Sequence, residues 1–195
     1  MARSVSPPTA APNPSFPDNN LNSFIPSNNE KPTIAFIISG DDIVHKREYL
    51  QEYIRNQLAK KFPAGQYTLA DEDQLRQEIL LLSKEEATPN IRLLLDKKHL
   101  VNLGKKFKAD YVIFLYYGLE SDYPAGVWRP ANEVAIILES KVVNVKRSQY
   151  IFKQDILGKT ANLGPSAFTT AVFRDVIRCT RQFCQQLQLD TIAKL

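Results

Sequence analysis

Ser39-Gly40-Asp41-Asp42 holds the densest chemistry in this sequence. The four residues follow Thr33-Ile-Ala-Phe-Ile-Ile38, a short uncharged run that reads as a strand. They therefore fall where open α/β sheets place ligands, beyond a strand's carboxyl end. A carboxylate pair at that point is what a phospho-acceptor domain uses to hold a metal. Such a domain also needs an acceptor carboxylate after its middle strand, and Tyr116-Tyr117-Gly118 offers none. The plainer reading makes Asp41 or Asp42 the N-cap of a following helix. One glycine and no Gly-Lys-Ser/Thr also argue against a phosphate-cradling loop. Ser39, Asp41 and Asp42 stand as candidate ligand-binding residues, with no metal or cofactor implied.

Other reactive side chains are sparse. His45 and His99 are the two histidines, each among charged neighbours on a predicted helix, which favours solvated surface positions. No Cys/His/Asp spacing resembles a zinc site, and no Gly-x-Ser-x-Gly elbow presents a serine nucleophile. Cys179 and Cys184 sit five apart on one predicted helix, which separates their Cα atoms by roughly 8.6 Å. That exceeds the roughly 7 Å limit for a disulfide, so both read as small buried residues. The basic runs Lys97-Lys98-His99 and Lys105-Lys106-Phe107-Lys108 flank a helix end, where cations complement the dipole.

The stretch from Gly118 to Asn132 combines Gly, Pro and aromatics with the only tryptophan. Tyr123, Trp128 and Arg129 lie within it. Tryptophan and arginine concentrate at interface hot spots, and loops on a rigid sheet commonly carry function. These three residues are the candidate partner-binding set; the alternative places Trp128 under the neighbouring hairpin as core.

These candidates need a scaffold, and the scaffold centres on Tyr111-Val-Ile-Phe-Leu-Tyr-Tyr117. An uncharged run of that length between Asp110 and Gly118 reads as a strand buried on both faces. Val112, Phe114 and Tyr116 point to one layer, and Tyr111, Ile113, Leu115 and Tyr117 to the other. Ahead of it come a helix from Asp41 or Asp42 to Phe62, with the stripe Leu50, Ile54 and Leu58, and a short strand over 66–70. Asp71 with Gln74 three residues on is a capping-box pattern opening a helix with Leu75, Ile79 and Leu82 inward. Thr88-Pro89 begins another helix that keeps its spacing through Leu94 and Leu103 to Phe107. Behind the central strand, 133–145 and 150–157 read as an antiparallel hairpin, 158–165 as a loop, and 166–187 as a final helix. The order β-α-β-α-α-β-β-β-α predicts an α/β fold: a mixed sheet with parallel βα crossovers, then an antiparallel hairpin and a C-terminal helix.

With 195 residues, 44% hydrophobic and 24% charged, the chain suits one sizeable core plus an appendage. Residues 1–31 form the appendage, a leader holding half of the 12 prolines, rich in Asn and Ser and nearly uncharged. Such a segment buries too little apolar surface to order itself and reads as a flexible tether before a single α/β domain over 32–195. No apolar run reaches the roughly 20 residues of a membrane helix. The net charge of +4 is not clustered on any nucleic-acid-binding motif, so no nucleic acid partner is implied. No apolar h-region follows Arg3, so the leader is not itself a signal peptide. A Pro/Asn/Ser tether commonly stands just behind an export signal, which favours an exported protein over a cytoplasmic one.

Leu103-Gly-Lys-Lys-Phe-Lys-Ala-Asp-Tyr-Val-Ile113, with Val142-Val-Asn-Val145 and Tyr150-Ile-Phe152 after it, carries a resemblance. Over about Thr33 to Leu187 the chain resembles the α/β domain shared by the TolB N-terminal region, the curli-secretion protein CsgG and the penicillin-binding-protein activator LpoB. In that group a helix ending in Leu-Gly-Lys leads into an Ala-Asp-Tyr strand. The resemblance implies a non-enzymatic docking or accessory module of the bacterial envelope or periplasm, with a protein partner and no catalytic residues. Oligomers are compatible with it. The chain departs from the group in having no lipid-acceptor cysteine near residue 1, no following β-propeller and no pore-forming insertions. The rival expectation is a cytoplasmic α/β domain, possible as an enzyme, that binds a small ligand or nucleotide at Ser39–Asp42.

Overall fold

The computed structural model describes residues 31–45, 47–87, 90–119, 133–161 and 165–187. Residues 1–30 of the leader lie outside the described residues. In chain order the elements are β1 (Thr33–Gly40), α1 (Asp42–His45), α2 (Glu48–Lys61), β2 (Thr68–Leu69), α3 (Glu72–Glu85), α4 (Ile91–Leu94), α5 (Lys97–Lys106), β3 (Tyr111–Leu119), β4 (Glu133–Asn144), β5 (Gln149–Ala161) and α6 (Pro165–Gln186). The sheet runs β2-β1-β3-β4-β5. β1 is parallel to both β2 and β3, while β4 and β5 pair antiparallel. This is the mixed sheet that the element order implies.

β3 is buried on both faces as its sequence requires. Tyr111, Ile113, Leu115 and Tyr117 join one apolar core with Leu50, Ile54 and Leu58 of α2 and Val172, Val176 and Phe183 of α6. Val112, Phe114 and Tyr116 join the other, with Leu75 and Ile79 of α3 and Leu100 and Leu103 of α5. Helices thus cover both sides of the central strands. Asp71 accepts from the Asp73 and Gln74 N–H groups, both at 3.0 Å, and so caps α3. Cys179 and Cys184 are free thiols, as their separation requires.

Three elements differ from the sequence reading. The helix expected from Asp41/Asp42 to Phe62 is two, because Arg47 is extended (φ −107°, ψ 98°) and starts α2 anew. That break lets Val44 reach the core independently of the Leu50 stripe. The helix expected to reach Phe107 is also two. Leu95 turns inward and is fully buried, and Asp96 caps α5 by accepting from the His99 N–H at 2.9 Å. Lys97 and Lys98 therefore open α5 rather than close a helix, so only Lys105 and Lys106 complement its dipole. Thr88-Pro89, the expected start, lies outside the described residues; Asn90 caps α4. Finally, β5 continues through Gly158 to Ala161, where a loop was expected. Gly158 permits this, since a Cβ there would lie 3.0 Å from both Cys179 Sγ and Asp175 Cβ of α6.

The Leu-Gly-Lys motif has a packing cause. A Cβ on Gly104 would collide with Val145 and lie 2.9 Å from Val112 Cγ2, so α5 approaches β3 and β4 more closely than any side chain allows. Gly104→Val is expected to lower unfolding stability by about 1–3 kcal/mol through overpacking. Urea titration checks this through a lowered midpoint at unchanged slope.

Candidate functional site

The first two crossovers leave β1 between β2 and β3, with α2 on one face of the sheet and α3–α5 on the other. The carboxyl ends of β1 and β3 therefore flank the topological switch point, the usual ligand crevice of a doubly wound sheet. Asp41 occupies that crevice. Its N–H donates to the Tyr117 carbonyl at 2.9 Å. Its Oδ1 accepts from the Tyr116 hydroxyl at 2.6 Å and its Oδ2 from the Leu119 N–H at 2.8 Å. Ser39 is buried within β1, and Asp42 is exposed in the first turn of α1. Ser39 pairs with Tyr116 through the β1–β3 ladder, and Asp41 reaches β3 through its side chain.

Tyr116 extends the polar row. Burial, then the Asp41 hydrogen bond and charge, push its hydroxyl up to about 12. The Arg92 guanidinium lies 5.7 Å from the Tyr116 ring centre, and its Nε donates to Glu139 Oε2 at 2.7 Å. Lys141 Nζ pairs with Glu139 Oε1, also at 2.7 Å, and sits 5.1 Å from the Phe114 ring centre. Burial alone would raise the Glu139 carboxyl, but hydrogen bonds from Lys141 and Arg92 outweigh it and hold the group below its usual value. At neutral pH Tyr116 thus keeps its proton and Glu139 its charge. Neither is poised for proton transfer, which needs a group titrating near the working pH. The row locks the strand ends together. Burial likewise pushes the Cys179 thiol up to about 12, far from thiolate reactivity.

His99 differs from the solvated reading. Its Nδ1 lies 2.8 Å from Asp96 Oδ1 and its Nε2 3.3 Å from Glu86 Oε1, in a partly buried position. It ties α5 to the end of α3. Among the described residues, no three His, Cys, Asp or Glu groups come together as metal ligands. Among the same residues, no helix is long and apolar enough to cross a membrane.

A second region was not singled out from the sequence. α5 packs on β3 and β4 and α3 on β1, while α6 packs on the opposite face of β4 and β5. On the α5 side, β5 presents Lys153, Asp155, Leu157 and Lys159, all exposed, and Leu157 keeps 42% of its surface accessible. Their alternation in the sequence was the available signal for a half-covered strand. Tyr123, Trp128 and Arg129 lie outside the described residues, but the anchors of their segment do not. Leu119 pairs with Ile136, and Glu133 with Ala161. The segment leaves β3 and enters β4 at the sheet end where β5 finishes.

Fold and site together define a three-layer α/β fold in which Asp41 bridges the carboxyl ends of β1 and β3. No protein-family model matches the chain, and no curated protein matches it. Similar solved structures include a hypothetical protein from Chlamydia trachomatis, at 12% identity over 81% of this chain and 96% of that one, with a TM-score of 0.44. The LpoB C-terminal domain from Salmonella enterica is 13% identical over 70% of this chain and 90% of that one, with a TM-score of 0.37. A lipoprotein from Neisseria meningitidis is 10% identical over 77% and 99%, with a TM-score of 0.38.

Proposed function

We propose that this chain is a non-enzymatic docking domain of an exported or envelope-associated bacterial protein. The sheet and helices are scaffold, and the partner is contacted at the sheet end that anchors the 118–132 segment, through Tyr123, Trp128 and Arg129. The observation that carries this reading is the exposed row Lys153, Asp155, Leu157 and Lys159 beside those anchors. An apolar residue among alternating charges on a rigid strand suits a polar-rimmed protein contact. The resemblance of the Leu103–Ile113 stretch to envelope modules points the same way.

The test is affinity capture from native cell extract after mild cross-linking, with Trp128→Ala/Arg129→Ala alongside. Loss of one specific envelope protein in the double variant, at an unchanged melting temperature, is the expected result. A large drop in melting temperature would instead make Trp128 core, and equal capture by both chains would remove the segment from the contact.

A further inference from the structure

We infer that the outer edge of β5 takes an acidic, extended segment of a partner protein as a sixth strand, with the arginine row of α6 as its charge complement. The inference rests on the docking reading and names the chemistry of the partner. β5 ends the order β2-β1-β3-β4-β5, and among the described residues it pairs with β4 alone. An antiparallel strand with one neighbour turns alternate N–H and C=O groups outward, and an edge 13 residues long is a template for another strand.

α6 decides which strand fits. Arg174, Arg178 and Arg181 follow helical i, i+4, i+7 spacing, are all exposed, and line an open groove with Ile177, Gln182 and Gln185. Arg178 Nη1 donates to the Lys159 carbonyl of β5 at 2.8 Å, which sets the row beside the strand. The only carboxylate of α6, Asp175, is fully buried, accepts from Thr160 Oγ1 at 2.6 Å and pairs with Arg178 Nη1 at 3.8 Å, so Arg174 and Arg181 supply the outward charge of the row. Lys153 adds an exposed cation on β5, beside Asp155. Like charges at i, i+4 destabilise a helix, and an anionic neighbour reverses that effect. The same charges reject a second copy, because two-fold pairing of β5 would bring two arginine rows together. The leader carries Arg3 and Lys31 against Asp18 and Glu30, so it supplies no acidic run.

The test uses the full chain and a fluorescent peptide of alternating Glu and Val, about ten residues long to match a strand. Two control peptides accompany it: alternating Lys and Val, and the Glu-Val peptide N-methylated at alternate residues, which keeps its charge but cannot pair along an edge. Phosphatidylglycerol vesicles and duplex DNA are the competing polyanions. The Glu-Val peptide is expected to bind and to slow amide exchange along β5. Both controls, and Arg174→Glu/Arg181→Glu chains with native melting behaviour, should bind at least about tenfold more weakly. Absence of Glu-Val binding overturns the inference. So does equal binding of the N-methylated peptide, or equal affinity for vesicles or DNA, since each would leave only a general anion surface. If capture through Trp128 and Arg129 succeeds while the Glu-Val peptide fails, the edge inference falls and the docking reading stands.

Discussion

Ile113→Asp is expected to leave no cooperatively folded domain at room temperature. Ile113 sits in the middle of β3, opposite Phe36 of β1 and Val142 of β4, and is fully buried in the core beneath α2 and α6. Removing most of the isoleucine costs about 2–5 kcal/mol through lost transfer energy and cavity. An uncompensated carboxylate in the same place adds several more, unless it takes up a proton and keeps only the cost of a buried polar group. Against a total stability of about 5–15 kcal/mol, the sum consumes most or all of the fold. Near-UV circular dichroism and thermal melting check this. A soluble variant with a cooperative melt near that of the parent would remove β3 from the centre of the fold. Ile113→Val, which keeps shape and polarity, should cost only about 0.5–1.5 kcal/mol and separates burial of charge from simple repacking.

That result would test what was most legible in the sequence. Both faces of β3 could be read from alternation, because each face meets apolar layers and no competing period exists there. The final helix was legible for the same reason, through Val172, Val176, Cys179 and Phe183. The helix breaks at Arg47 and Leu95 were not, since each depends on a residue turning toward a core built from distant strands. The polar row was hidden by distance: Asp41 meets Tyr116 and Leu119 across 75 and 78 residues, and Arg92 meets Glu139 across 47. Pattern reasoning sees spacing within one element. It found Asp41 as a carboxylate at a strand end but not its partners on β3. The charged alternation of β5 and the arginine spacing of α6 were visible as patterns, but their adjacency appears only once Arg178 is seen bonded to Lys159.

Asp41→Ala carries the other large expected effect, and it bears directly on the strand-end crevice. The substitution strips the hydrogen-bond acceptor from the Tyr116 hydroxyl and the Leu119 N–H together, and Tyr116 is only 9% exposed. With bonds to a carboxylate worth about 1.5–3 kcal/mol each, and partial rescue by water, the expected loss is about 2–4 kcal/mol in a urea titration. Asp41→Asn should lose less, because one oxygen still accepts while the amide nitrogen faces a donor. Titration of the phenol separates a latch from a general loss of packing. Tyr116 is held at about 12, above the ordinary 10, so its share of stability is whole below pH 10 and is lost as pH rises through about 12. Burial contributes most to that shift, and the Asp41 hydrogen bond and charge contribute next. Asp41→Asn removes the charge, so Tyr116 should ionise at lower pH and the alkaline loss should finish earlier. An unchanged phenol titration would mean that the carboxylate does not govern Tyr116. The same variants address a ligand at Ser39–Asp42. If metals or nucleotides stabilise the parent and that gain vanishes in Asp41→Asn/Asp42→Asn, the carboxylate binds as well as latches. If no ligand shifts the melting temperature of the parent, the hydrogen bonds to β3 are the whole work of Asp41.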